Sequence, residues 1–304
     1  MRVPLPVCIA WQGIQLKVPE GWFLNGFSGD WREGWLTISS PGRTHLDLKW
    51  VRTKARSDLQ LHLQQFLKRL ERDARKQHAR FSGTLEPDGN AGFRFRWSGL
   101  EHALGRIQRC PECHCITLMQ LRTAARHEPL HTLASAIFDT LRDHPDEHGW
   151  VEWSLYGLRT AVPERFRLEK HAILTGQTRL VFRSGRERLL VERIARAEQL
   201  IKEWSLPEWA QVWLRWEQWH GIAEPFELEN HPALRLQGRL GGSHLITETL
   251  PALLTLRLPA WRIDAALWFC SKRNTLYHIL HQHSRKSELL NEVIARTVCH
   301  SPTG

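Results

Sequence analysis

WQGIQLKVPEGWFL, residues 11–24, returns as LYGLRTAVPERFRL, residues 155–168. Set one above the other, Gly13 falls on Gly157, Val18 on Val162, Pro19 on Pro163, Glu20 on Glu164 and Leu24 on Leu168. The same spacing of 144 positions, 157 less 13, puts Leu36 on Leu180 and Ser40 on Ser184. With small slips, Leu46–Val51 tracks Leu189–Ile194, Phe93 tracks Leu234, and Cys110 tracks Cys270. Beyond Cys270, Ile116 and Leu118 track Leu276 and His278. The slips fall where loops are expected, and loops accept insertions. Chance can produce any one of these matches; their shared order points to an internal duplication.

Each copy has the same layout. In the first, residues 7–12 and 14–18 read as short strands about Gly13, and 35–39 and 45–51 as a hairpin across Ser40-Pro41-Gly42. Ser57 is then expected to cap a helix in which Leu59, Leu63, Phe66, Leu67, Leu70 and Ala74 share one face. Residues 91–98, 103–109 and 115–121 read as three more strands, and Leu130 to Leu141 as a closing helix. In the second copy the first helix is expected over 195–219, kinked or divided at Pro207. Its closing helix uses Leu289, Leu290, Val293, Ile294 and Val298. The expected fold is α+β: two tandem copies of an antiparallel sheet flanked by helices, in domains 1–145 and 146–304. The polar stretch Asp143 to Gly149, with Pro145, reads as the linker.

A chain of 304 residues can form two units that each bury a core. With 42% hydrophobic and 24% charged residues the composition is that of a globular protein and not a disordered one. Prolines break the N-terminal apolar run before it reaches the length of a secretory signal, and no run approaches a membrane span. A cytoplasmic location is expected, with the six cysteines as free thiols or ligands. The net charge of +10 suits an anionic partner, but the basic residues are spread along the chain without a dense run.

The opening G-x-x-x-x-V-P-x-x-W/F, carried by Gly13 to Trp22 and by Gly157 to Phe166, is followed by a hairpin, a helix, three strands and a last helix. In that order and spacing each copy resembles the Mog1/PsbP-like (DcrB-like) α/β/α sandwich. The family includes photosystem assembly subunits, a Ran-binding nuclear import factor and bacterial adaptor chaperones. The resemblance implies a binding module without shared catalytic residues, and no functional residue of the family maps onto this chain by motif.

Cys110-Pro-Glu-Cys113-His-Cys115 is the sharpest chemical motif. Cys-Pro-x-Cys sets two thiolates on one turn, as a tetrahedral zinc knuckle requires, and Cys115 supplies a third. Cys8, His102, Cys270 and Cys299 are candidates for the fourth ligand. Copy two keeps only Cys270 and has Arg273 where copy one has Cys113, so a site is expected in copy one alone. One zinc ion, a redox-sensitive dithiol and plain reduced cysteines are the readings open, the last meaning no cofactor. His281 and His283 would share a face on a strand and ligate together, or else lie with His278 in a solvated loop. Gly241-Gly242-Ser243-His244 reads as a hairpin turn, since it lacks a phosphate loop's lysine.

Fifteen tryptophans against two tyrosines need an explanation. Trp209, Trp213 and Trp216 lie at i, i+4 and i+7, with Trp204 and Trp219 at the ends. One helix face does not easily hide five indoles, so part of this stripe is expected to be exposed for a partner. The resulting expectation is a non-catalytic protein-binding adaptor, scaffold or assembly factor. The first alternative is a nucleic-acid-binding module, with arginine beside tryptophan at Arg94, Arg96, Trp97 and at Arg215, Trp216. The second is a metal-dependent factor using the Cys110–Cys115 cluster.

Overall fold

The computed structural model describes residues 3–54, 57–89, 92–125, 130–216, 219–240, 261–285 and 287–300, apart from the side chains of 215–220 and 240. The Gly241–His244 turn expected from sequence lies outside them. The chain divides into two compact units, Met1–Tyr156 and Gly157–Gly304.

The first unit runs β1 (Val7–Trp11), β2 (Ile14–Val18), β3 (Phe23–Gly29), β4 (Glu33–Ser39), β5 (Thr44–Arg52) and α1 (Leu59–Lys76). It continues with β6 (Ser82–Pro87), β7 (Gly92–Ser98), β8 (His102–Arg109), β9 (Cys115–Thr123), α2 (Leu130–Phe138) and β10 (Trp150–Leu155). Seven strands form one antiparallel sheet in the order β3-β4-β5-β9-β8-β7-β6. Strand β1 pairs with β2 on one side and with β10 on the other. The stretch 143–149 expected as a linker therefore lies inside the first unit, because β10 beyond it is held by β1.

The second unit runs β11 (Leu158–Pro163), β12 (Arg167–Leu174), β13 (Gln177–Ser184), β14 (Glu187–Ala195), α3 (Ala197–Glu203) and α4 (Leu206–Trp216). Then come β15 (Trp219–Leu228), β16 (His231–Leu240), β17 (Arg262–Cys270), β18 (Thr275–His283) and α5 (Leu289–Ile294). Its sheet has the order β12-β13-β14-β18-β17-β16-β15, which is the order of the first sheet strand for strand. The class is thus α+β, with antiparallel sheets predominant.

The correspondence reaches single residues. Val51 pairs with Ile116 at the centre of the first sheet, and Ile194 with Leu276 at the centre of the second. Phe93 pairs with Ile107, and Leu234 with Leu267. Both sheets carry a bulge in the same place, after Leu24 in β3 and after Leu168 in β12. A bulge adds an unpaired residue and bends its strand, so a shared one is a shared structural feature and not noise. The glycines aligned in the sequence have a common cause. Gln12 and Gly13 have φ of 54° and 77°, and Tyr156 and Gly157 have 47° and 81°. Paired positive φ values are those of the tight turn that matches strand twist, and glycine adopts them without penalty. A Cβ on Gly13 would in addition lie 2.2 Å from a ring carbon of Trp31.

Two helix boundaries differ from expectation. The cap of α1 is Asp58 and not Ser57, with the carboxylate accepting from the Leu61 amide at 3.0 Å. The helix expected over 195–219 is divided, as expected, but the break falls at Ser205 and not at Pro207. Ser205 interrupts it and opens α4 with a capping box: its amide and hydroxyl both donate to Glu208, at 2.7 and 2.6 Å. Pro207 sits in the first turn, where no amide is required of it. Trp219 lies on β15 and not on a helix.

Helix α1 buries Leu63 and Leu67 against Phe95, Trp97, Ala103, Ile107 and Ile116. In the second unit α4 places Trp209 and Trp213 among Leu190, Leu234, Leu267 and Leu280. Both indole N–H groups are used there. Trp209 Nε1 donates to His278 Nε2 at 2.9 Å, and Trp213 Nε1 to Glu192 Oε2 at 3.1 Å. With Nε2 accepting, His278 presents its Nδ1 hydrogen to Glu192 at 2.8 Å, and Gln177 donates to the other carboxylate oxygen at 2.6 Å. Burial by itself raises the Glu192 pKa. The His278 hydrogen bond, Arg179 and Gln177 outweigh burial and hold it at about 2, below the ordinary 4.5. A depressed carboxylate stabilises the fold above its unfolded pKa and loses that contribution as pH falls through the folded value. The second unit is therefore expected to weaken as pH falls from about 4.5 toward about 2. Near-ultraviolet dichroism of the tryptophans against pH measures this. Glu192→Gln should be less stable at pH 7 and flatter over that range, and an unchanged profile would contradict the network.

Candidate metal centre

Strand β8 ends at Arg109, and the chain turns back into β9 through Cys110–His114. The Cys110 amide donates to the Cys115 carbonyl at 2.8 Å and the His114 amide to the Cys110 carbonyl at 3.1 Å. His114 takes the left-handed φ of 56° that tightens the turn. Cys110 and Cys113 are thereby presented on one side of a rigid loop.

The partners arrive from the far end of the unit. After α2, residue 142 exchanges both backbone hydrogen bonds with Gln15, each 2.8 Å. The Arg52 guanidinium, lying 4.0 Å above the Trp31 ring, donates to the Asp143 carbonyl at 2.8 Å. Those bonds fix Asp143 and His144 against the cysteine turn. His144 Nδ1 is 3.7 Å from Cys110 Sγ and 2.9 Å from Asp143 Oδ1, and Cys113 Sγ donates to the Asp143 carbonyl at 3.5 Å. Ligand atoms of Cys110, Cys113, Asp143 and His144 all lie within 4.8 Å of one another. Asp143 is buried, and its Oδ2 accepts no hydrogen bond among the described residues. A buried carboxylate oxygen without a donor favours a cation. Two sulfurs, an imidazole and a carboxylate are donors that zinc accepts.

Cys115 does not join the set. It is fully buried on β9, with its sulfur toward the Ile116 carbonyl at 3.9 Å. Cys8 receives the Gln15 amide at 3.5 Å, and His102 is at the opposite end of β8 from the cysteine turn. The completing residues come from the stretch that composition marks as linker. Polarity with Pro and Gly cannot show that a segment docks; only the Cys-Pro-x-Cys half of the site carries a local signature.

A second set appears where sequence reading left only Cys270. His231, Cys270, Cys299 and His300, all in the second unit, also bring their ligand atoms within 4.8 Å of one another. A candidate donor set is therefore present in each unit, where the sequence pointed to copy one alone. The fold supplies Cys299 and His300 after α5, as it supplies Asp143 and His144 after α2. Val298, expected inside the closing helix, lies beyond it and is 39% exposed, its amide bonded to the Arg159 carbonyl.

The histidines of β18 are neither solvated nor in a loop. His278, His281 and His283 are buried in the strand. His281 and His283 stack at 4.7 Å, and His283 bonds Asp264 at 2.8 Å. Burial, and then His283 beside it, lowers the His281 pKa to about 4.

Of the tryptophan stripe, Trp209 and Trp213 are core residues, 3% and 1% exposed. Trp204 ends α3, is 36% exposed and stacks on Trp209 at 5.5 Å. The side chains of Trp216, Trp219 and Arg215 lie outside the described residues. At the other basic-aromatic candidate, Trp97 is buried with its N–H on Gln120, and Arg94 is paired with Asp88 at 2.8 Å. No base can stack on a covered indole. Among the described residues, no helix is long and apolar enough to cross a membrane. A scan against models of known families and a search of curated proteins both find no match for this chain.

Burial raises the Cys113 and Cys115 thiols to about 12 from the ordinary 9.0. At pH 8 roughly one such thiol in ten thousand is ionised, and the thiolate is the reactive form. A short iodoacetamide pulse on the folded, chelator-treated chain at pH 8 should leave both unmodified by mass spectrometry. Labelling as fast as in the urea-unfolded chain would show that the thiols are not held as described.

Proposed function

We propose that this chain is a non-catalytic protein-binding adaptor or scaffold, made of two duplicated Mog1/PsbP-like units, with one zinc ion as a structural clasp at Cys110, Cys113, Asp143 and His144. Equal strand order, equal register and the shared bulge support descent of both units from one ancestor. A set of four protein donors fits a closed structural zinc, whereas a catalytic zinc keeps a position open for water or substrate.

The observation that carries the binding role is Trp204. The other indoles that α4 turns inward have buried acceptors for their N–H groups. Trp204 instead leaves over a third of its surface in solvent at the break between α3 and α4, backed by Trp209. A rigid aromatic ring with a firm support behind it is the kind of residue that dominates protein interfaces. The stripe serves two ends: its inner members hold the unit together and its outer member faces a partner.

The test begins with the tagged full-length chain in its native host, continues with identification of a stoichiometric partner and ends with reconstitution of the complex from pure components. Trp204→Ala should weaken that complex by about tenfold or more, the range of an interface hot spot, with the melting temperature within about 2 °C of wild type. Unchanged affinity would remove Trp204 from the interface. Failure of the pure components to associate would overturn the adaptor reading.

A further inference from the structure

We propose that the second unit holds its own zinc ion, bound by Cys270 Sγ, Cys299 Sγ, His300 Nδ1 and His231 Nε2 in a closed tetrahedral site. The proposal does not depend on the protein-binding reading.

Distances and directions support it. His300 Nδ1 lies 3.5 Å from Cys270 Sγ and 3.1 Å from Cys299 Sγ, and His231 Nε2 lies 3.5 Å from Cys299 Sγ. A tetrahedral zinc with Zn–S of about 2.3 Å and Zn–N of about 2.0–2.1 Å separates neighbouring donors by roughly 3.3–3.8 Å. Three of the six donor–donor distances are thus close to those edges, and all four atoms lie within 4.8 Å of one another. The two imidazoles meet edge to face, with centroids 5.1 Å apart, so the rings approach without clashing.

Burial and composition support it as well. Cys270, Cys299 and His231 are buried at 0%, 8% and 4% exposure. A thiol is a weak hydrogen-bond donor and a weak acceptor, so sulfur and imidazole packed together satisfy one another poorly. Zinc displaces the thiol protons and gives two thiolates and two neutral imidazoles a net charge of zero. That is the least costly charge for a buried site. Lys272 Nζ sits 3.3 Å from His300 Nε2, which carries hydrogen once Nδ1 ligates. The lysine is exposed and free to swing outward as the metal enters.

The independent observation is the site's recurrence. Cys110 follows β8 as Cys270 closes β17, and Asp143-His144 follow α2 as Cys299-His300 follow α5. One cysteine and one histidine therefore meet at the same place in both units. The other two donors differ. The first unit takes Cys113 from its own turn and Asp143, and the second takes His231 from the start of β16 and Cys299. A coincidence of reduced cysteines has no reason to rebuild a four-donor set from different residues at an equivalent point.

The full-length chain is purified without chelator, and zinc is counted by plasma mass spectrometry with the protein measured by amino-acid analysis. The Cys110→Ser/Cys113→Ser variant removes the first unit's thiols. It should retain about one zinc per chain, with X-ray absorption fitting two sulfurs at about 2.3 Å and two nitrogens at about 2.0–2.1 Å. Adding His231→Ala or Cys299→Ser should drop the count below about 0.2. Less than about 0.2 zinc before that addition, or a Cys270–Cys299 disulfide in the intact mass, overturns the proposal. If the double variant does not fold, wild type and His231→Ala are compared directly. The loss of one zinc equivalent supports the site, and an equal content in both refutes it.

Discussion

The pairing of β5 with β9, and of β14 with β18, is the constraint on which each unit depends. Every other strand pair in the two sheets joins neighbours in the chain. These two join strands more than sixty residues apart, as with Thr44 on Thr123 and Arg188 on Gln282. They stitch an N-terminal three-strand meander to a C-terminal four-strand one. Closing so long a loop costs entropy that grows only slowly with length, but it must be met before the contacts form. The burial of these strands shows what meets it. All nine residues of β18 are buried, and seven of the nine in β9. Once that pair forms, the turns that open onto β9 and β18 are fixed, and with them Cys110, Cys113 and Cys270.

The helices then diverge in chemistry within a common layout. In the first unit α1 brings leucine and phenylalanine, and the buried Trp97 spends its N–H on Gln120 from the sheet. In the second unit the central pair has Glu192 opposite His278, where the first has Lys49 opposite Leu118. A buried carboxylate and imidazole require donors above them. Tryptophan is a large apolar side chain that covers a sheet and also donates a hydrogen bond inward. Trp209 and Trp213 are thus the consequence of Glu192 and His278. A surplus of tryptophan that reads from sequence as interface is in good part the cap on a polar core.

Much of this fold was legible. Gly13 and Gly157 announce positive-φ turns, the apolar stripe of α1 announces its buried face, and alternating residues mark β5, β7 and β8. Strands β3 and β6 left no trace because they are sheet edges. SGTLEP in β6 has five exposed residues of six, so no period-two pattern exists to read. Pro207 announced a break in the second unit's helix, but its place at Ser205 was not legible, since helical spacing continues across it and period alone cannot register a new N-cap. At the candidate site only Cys110 and Cys113 were legible, as one turn. Asp143, His144, Cys299, His300 and His231 are ordinary residues in loops and at a strand start. Their meeting is a product of topology, and a single sequence carries no record of it.

The position of both donor sets follows from the same topology. In each unit the closing helix is followed by a return segment that must be held against the end of the sheet. In the first, paired backbone bonds to Gln15 and the Arg52 guanidinium hold it. In the second, the Val298 amide on Arg159 and the Thr160–Thr297 hydroxyl pair at 2.8 Å do so. A metal bonded to the segment and to the sheet's end would cross-link the two, as metal binding and folding free energy are one quantity in such sites. The donors can vary between units, because the geometry of the return segment and not the identity of any one ligand selects the place.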